Sequence, residues 1–298
     1  MFDKLVAPKR EEEILKHWKY IDKVYISVIC TTFNQEVYIK DAIESFLAQE
    51  TEYRFEIIIH DDASVDKTLE ILKQYQKKYP TIIKLIIQTE NQYSINSLYP
   101  LYNLLGLSSG KYIALCEGDD FWLSKRKLQK QIEIIEQDTL LSLVAHETYK
   151  ISESADLILG NFNVKPGIYK TKNIISKRWV FATNSLFFKK EIVNNLPEWF
   201  VNSVNYDVAM QLLASLHGDI YALPDTLSMY RVSAKGSLTV IKSNKSNSVR
   251  LKHFSMLVNF NKANKYKFTS GLIIVSISIF KDILKTKLKP LKDRILGA

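Results

Sequence analysis

Between residues 24 and 34 the chain reads VYISVICTTFN, an unbroken β-branched and apolar run that ends in polar residues. That pattern predicts a strand buried on both faces of a parallel sheet. It leads into EVYIKDAIESFLAQE, where Ile39, Ile43, Phe46 and Leu47 recur at helical spacing. The alternation repeats: FEIIIH (55 to 60) predicts a strand, DDASVDKTLEILKQYQKKY a loop and an amphipathic helix, and IIKLIIQ (82 to 88) and KYIALCE (111 to 117) two more strands. Strand and helix in alternation predict a doubly wound α/β body.

From about 140 to 240 the pattern is mixed. TLLSLVAHETYKI reads as a strand, NSLFFKKEIVNNL as strand to helix, and YDVAMQLLASLHGDIYAL as an amphipathic helix followed by another strand. No Pro-, Gly- or Ser-rich linker interrupts it, so residues 24–240 are expected to form one domain. EEEILKHWKY (11 to 20) predicts a lead-in helix within 1–23, and 241–298 a basic helical extension. The polar segment 233–248 is expected to be a mobile loop.

In GLIIVSISIFKDILKTKLKPLKDRIL the residues Ile273, Ile277, Phe280, Leu284, Leu288, Leu291 and Ile295 make one stripe, flanked by lysines and kinked at Pro290. GLIIVSISIF is too short to span a bilayer, which needs ~20 apolar residues. The stripe over 271–296 therefore suits either an anionic membrane surface or packing on the body or a second subunit, which would make a homo-oligomer.

Charge sharpens that choice. The 298 residues carry a net +9, but 242–298 hold thirteen Lys or Arg against two acids, a balance of +11 that leaves −2 for residues 1–241. A near-neutral body argues against nucleic-acid binding, and a basic tail points to an anionic surface. The N-terminus has no signal-type apolar segment, so the expected place is the cytoplasm, with peripheral attachment at the cytoplasmic face of a membrane. Cys30 and Cys116 lie in apolar strands and read as reduced core residues.

The chemistry gathers at strand ends. G-x-G-x-x-G after the first strand and the P-loop pattern are both missing, so phosphates must be held another way. TTFNQE, HDDAS and CEGDD follow three of the strands, where open α/β sheets bind ligands. Glu117, Asp119 and Asp120 in CEGDD would repel one another, and a cation would offset that repulsion.

Taken in order, VYISVICTTFNQE, FEIIIHDDASVDKT, SGKYIALCEGDDFW and LSMYRVSAKGS resemble the family 2 glycosyltransferases, inverting enzymes of the GT-A fold, over residues 24–240. The resemblance implies a Rossmann-like, mostly parallel sheet flanked by helices. It implies transfer of a sugar from a nucleotide-sugar, a UDP-sugar in the usual case, to a glycan or lipid-linked acceptor in polysaccharide or surface-glycan synthesis. By the same resemblance Thr31, Phe33, Asn34 and Glu36 meet the nucleotide, Asp62 its base and Asp119 the nucleotide and metal, while Glu117 reaches the ribose, the metal through water, or neither, with Asp61 only capping or orienting its loop. Asp119 and Asp120 would hold Mn²⁺ or Mg²⁺, Arg231 would clamp phosphate, and Asp207, opening a helix, would be the catalytic base, with Asp219 and Asp225 as fallbacks. Three positions depart from the family: Phe33 stands where Tyr is common, Glu117 for the usual Asp, and Ser233 for a His. Phe121, Trp122, Trp179 and Trp199 are candidate platforms for sugar rings, Trp122 foremost. The competing reading is a degenerate nucleotide-sugar-binding subunit that regulates or scaffolds a partner transferase.

Overall fold

The computed structural model describes residues 3–155, 157–177, 180–203, 205–234 and 246–296, with backbone alone at 246, 249 and 285–296. In chain order the elements are α1 (Glu12–Leu15), β1 (Ile26–Thr32), α2 (Ile39–Leu47), β2 (Phe55–Asp61), α3 (Thr68–Lys78), β3 (Ile83–Ile87), α4 (Gln92–Ile95), α5 (Tyr99–Leu107), β4 (Tyr112–Leu115) and β5 (Phe121–Trp122). They continue as α6 (Lys127–Gln137), β6 (Leu141–Ile151), β7 (Ile158–Asn161), β8 (Gly167–Tyr169), α7 (Thr171–Ile175), β9 (Phe187–Lys189), α8 (Glu198–Val201), α9 (Tyr206–His217), β10 (Asp219–Arg231), α10 (Ser246–Ala263) and α11 (Thr269–Leu296).

One sheet runs through all ten strands in the order β3-β2-β1-β4-β9-β6-β10-β5, with β7 on β6 and β8 on β10. Strands β3, β2, β1 and β4 are parallel, β9 is antiparallel to β4 and β6, and β10 returns parallel to β6. β1 therefore lies between β2 and β4, where the winding reverses, which puts the ligand crevice of such a sheet at the ends of these three strands.

The strands are apolar on both faces because both faces are covered. Val28, Cys30, Ile57 and Ile59 pack with Ile39, Ile43 and Phe46 of α2, Leu72 of α3 and Ile132 of α6. Ile29, Ile58 and Ile113 face the other way, toward Leu104 of α5, Leu212 of α9, Phe260 of α10 and Ile279 of α11. Both cysteines are free and buried.

Several elements differ from expectation. α1 is a single turn. NSLFFKKEIVNNL forms a three-residue strand and a 3-10 turn over Lys190–Val193 instead of an α-helix. α4 and α5 fill the connection from β3 to β4, where no helix was expected; Pro100 fits α5 because its missing N–H falls in the first turn. α11 runs as one helix through Pro290. It also packs on the body through a stripe that was not foreseen, Leu272, Val275, Ile279 and Ile283, so Ile273, Ile277, Phe280 and Leu284 stay 47–57% exposed. Those four residues therefore lie off the face that packs on the core, with Phe280 touching Phe254 of α10. Most of segment 233–248 lies outside the described residues.

Candidate active site

The loops after β1 and β2 are joined to each other before any ligand is considered. Asn34, at φ 52°, donates its N–H to Ser64 Oγ (2.9 Å) and accepts the Val65 N–H on Oδ1 (2.8 Å). Glu36 accepts the Lys67 N–H (3.0 Å) and donates its own to Asp66 (3.1 Å). Asn is among the few residues that tolerate a left-handed backbone, which explains its place in the turn. Asn34 and Glu36 thus hold one loop to the other, besides the nucleotide contact that the resemblance implies for both. Phe33 is left exposed and Thr31 half-buried, the Thr31 carbonyl accepting the Gly118 N–H at 3.0 Å.

At the end of β2 the two aspartates exchange the roles expected of them. Asp62 is buried with both oxygens engaged, accepting the N–H groups of Gln92 (2.8 Å) and Tyr93 (3.0 Å), so it fixes the start of α4. Asp61 accepts the Ser64 N–H (3.2 Å) on Oδ2, while its buried Oδ1 has no hydrogen-bond partner among the described residues. Burial raises the Asp61 carboxyl above the usual range. A buried acceptor left open is costly unless a ligand donor meets it, which makes Asp61 the better candidate for the nucleotide.

The acid loop reaches the β1 loop at Gly118, where a Cβ would lie 2.4 Å from Gln35 Oε1 and 2.9 Å from Thr32 Oγ1, so any side chain there would displace those groups. Glu117 accepts a hydrogen bond from the Tyr206 hydroxyl at 2.7 Å. Asp119 is buried, which raises its carboxyl, while the Arg231 charge and a hydrogen bond from the Gln35 side chain oppose the rise. Asp120 is buried deeper still: it accepts the Arg231 N–H and the Asn184 side-chain amide, each at 2.9 Å. Its carboxyl is pushed well up by burial and then by the charges of Asp119 and Glu117. Asp120 therefore anchors the loop, in contrast to the metal-ligand role expected of it.

Arg231 is likewise internal. Only 2% exposed, it donates to the Asp119 carbonyl (2.5 Å), pairs with Asp41, and lies over the Tyr38 and Phe121 rings at 5.0 and 4.9 Å. It clamps the acid loop, where a phosphate clamp was expected. Trp122 is fully buried against Phe46, its indole N–H donating to the Asn184 carbonyl, and Phe121 and Trp199 are also core; none can stack on a sugar. Trp179 lies outside the described residues. Asp219, ion-paired to Lys170, opens β10 at the opposite end of that strand from Arg231, and Asp225 pairs with Lys130, so neither fallback belongs to the site.

Asp207 is half-buried in the first turn of α9, where the helix dipole favours an anion, and its neighbour Tyr206 is the residue that holds Glu117. α9 is thereby tied to the acid loop. Gln35, Asn184 and Tyr206 were not foreseen, since each acts through a partner distant in sequence, Gln35 even from within TTFNQE.

Hard oxygen donors in a buried, electronegative loop suit Mg²⁺ or Mn²⁺. Among the described residues no three His, Cys, Asp or Glu side chains converge as a complete metal cage. The donor set fits an ion held by one or two carboxylates and completed by ligand oxygens.

The profile of the family described as Glycosyl transferase family 2 matches residues 27–194. An uncharacterized glycosyltransferase of Methanocaldococcus jannaschii is 32% identical over 92% of this chain and 96% of its own length. A Mycobacterium tuberculosis protein of unknown role is 29% identical over 71% of this chain, which spans 60% of that relative. An Escherichia coli UDP-Glc:α-D-GlcNAc-diphosphoundecaprenol β-1,3-glucosyltransferase is 26% identical over 63% of this chain and 70% of its own. Among solved structures, Staphylococcus aureus TarS bound to UDP-GlcNAc superposes with a TM-score of 0.57 at 18% identity, covering 79% of this chain and 71% of that one. That likeness establishes the GT-A fold.

Proposed function

This chain belongs to glycosyltransferase family 2, and from that premise we propose that it moves a sugar from a UDP-sugar to a hydroxyl of a glycan or lipid-linked acceptor in surface-glycan synthesis, with inversion at the anomeric carbon. The observation that carries the reading is the 2.7 Å bond from Tyr206 to Glu117, which ties the helix start bearing Asp207 to the acid loop. The TarS complex and the E. coli relative, whose names specify UDP-GlcNAc and UDP-Glc, support a uridine donor.

Each residue then has a defined task. Asp61 Oδ1 accepts an N–H of the base, and Phe33 offers an exposed ring beside Thr31 at the mouth of the crevice. Asp119, with Glu117 beside it, would hold a divalent Mn²⁺ or Mg²⁺ that offsets the charge of the leaving diphosphate. Asp207 removes the proton from the acceptor hydroxyl as that oxygen attacks the anomeric carbon from the face opposite the diphosphate. The helix dipole keeps the Asp207 carboxylate anionic and able to accept that proton. Asp120, Asn184, Arg231 and Asp41 fix the acid loop from behind.

Calorimetry and release of UDP from candidate UDP-sugars test this together. Wild-type protein should bind a UDP-sugar more tightly with Mn²⁺ and hydrolyse it slowly, while Asp207→Asn keeps binding and loses turnover by on the order of 10²-fold. Binding with no turnover in the wild type under any acceptor would leave the regulatory-subunit reading instead.

A further inference from the structure

We propose that the outward face of α11 is a docking surface for an anionic lipid bilayer, and that it holds the Asp207 edge of the crevice toward that bilayer. The first part stands on the helix alone; the second rests on the transferase reading.

α11 meets the body through Val275 and Ile279, both buried, and its opposite stripe stays about half exposed. Ile273, Ile277, Phe280 and Leu284 follow one another at intervals of four, three and four residues, and Ile274 adds to the exposed face. α10 extends it, since Phe254 packs edge-on to Phe280 at 5.6 Å and Leu251, one turn earlier, is half exposed. Among the described residues no helix is long and apolar enough to cross a membrane, so these side chains suit a helix lying in the interface plane.

Charge selects the occupant. Residues 242–298 carry a net +11, including the exposed Lys281 beside the stripe. A second copy docking through the same face would bring +11 against +11, whereas acidic headgroups oppose that charge. The surface is also joined to the site: on α10, His253 Nδ1 lies 3.1 Å from the side-chain amide of Asn205, the residue that precedes α9 and stands two positions before Asp207. On this proposal a bilayer held by α11 lies on the side where the proposed base receives the acceptor, as a lipid-linked acceptor requires.

Vesicle flotation of the full chain decides it, using phosphatidylcholine vesicles with and without phosphatidylglycerol. Wild-type protein should float with the anionic vesicles only, and less so in high salt. Ile273→Glu/Ile277→Glu/Phe280→Glu and, separately, Lys281→Glu/Lys285→Glu/Lys289→Glu should each lower the bound fraction about tenfold, with melting temperature and UDP release in solution unchanged. Wild-type flotation by both variants overturns the proposal, as does equal binding to neutral vesicles. So does a wild-type dimer in light scattering that the first variant dissolves, because the occupant is then a second copy. Anionic-vesicle binding without UDP release from any donor would remove the transferase reading and keep the docking surface.

Discussion

Two pairs of adjacent aspartates lie at or just after the ends of β2 and β4, the strands on either side of β1, and the protein surrounds them differently. Asp61 and Asp62 are met by main-chain N–H groups of Ser64, Gln92 and Tyr93. Asp119 and Asp120 are met by a buried guanidinium and by the side-chain amides of Gln35 and Asn184, and they sit beside a third acid, Glu117. In each pair the second aspartate is fastened and the first retains capacity. Neutral donors around the first pair suit recognition of an uncharged N–H. An excess of negative charge around the second suits a cation. The contrast supports the proposed roles, base recognition at Asp61 and the metal at Asp119.

The sharpest way to break that contrast is to neutralise Asp119. Asp119→Asn should lower kcat/KM by on the order of 10²- to 10³-fold and abolish the benefit of Mn²⁺ for UDP binding, the scale of losing a main electrostatic element of a site. Asp120→Ala should instead act on folding, because it leaves the Asn184 amide and the Arg231 N–H buried without their acceptor, at a cost of about 1–3 kcal/mol. If Asp120→Ala melts like the wild type yet no longer responds to Mn²⁺, the metal belongs to Asp120 after all.

A second, smaller effect concerns pH. Burial makes both Asp119 and Asp120 easier to protonate in the folded chain than in the unfolded one, so the native state binds the extra protons. Their contribution to stability is full below the ordinary aspartate value and declines as pH rises through the raised values. An ion that binds the carboxylates competes with those protons. The rise in melting temperature produced by Mn²⁺ with UDP should therefore be greater at about pH 8 than at about pH 5, and Asp119→Asn should flatten the difference. A shift of equal size at both values would mean that the carboxyls are already ionised at the lower one.

Sequence made the left half of this comparison partly legible and the right half less so. β1, β2, β3 and β4 were readable because strands buried on both faces are apolar throughout, and the start of α9 at Tyr206 and Asp207 because an amphipathic helix has its own local pattern. What failed were residues whose role is set by distant partners. Arg231 invites a phosphate until Asp41, 190 positions earlier, is found beside it. Trp122 invites a sugar until β5 pairs it to Ser228 of β10. Asn184 joins Asp120, Met229, Thr148 and Trp122 from within ATNSL, a stretch with no periodicity or motif.

The smallest expected effect tests the first aspartate pair alone. The Oδ1 atom of Asp61 is buried and unmatched, so a donor N–H arriving there gains a hydrogen bond without displacing one already made. Such a bond to a charged acceptor contributes about 1.5–3 kcal/mol, hence Asp61→Ala should weaken UDP by roughly 10- to 100-fold. Stability should hold or rise, since the same substitution removes a buried carboxyl whose ionisation burial opposes. Asp62→Ala predicts the reverse, a melting temperature lowered through the freed N–H groups of Gln92 and Tyr93, with UDP binding weakened only as far as the α4 loop shifts. Paired calorimetry and thermal melts separate the two, and a wild-type UDP affinity in Asp61→Ala beside a lost affinity in a well-folded Asp62→Ala would return the base contact to Asp62.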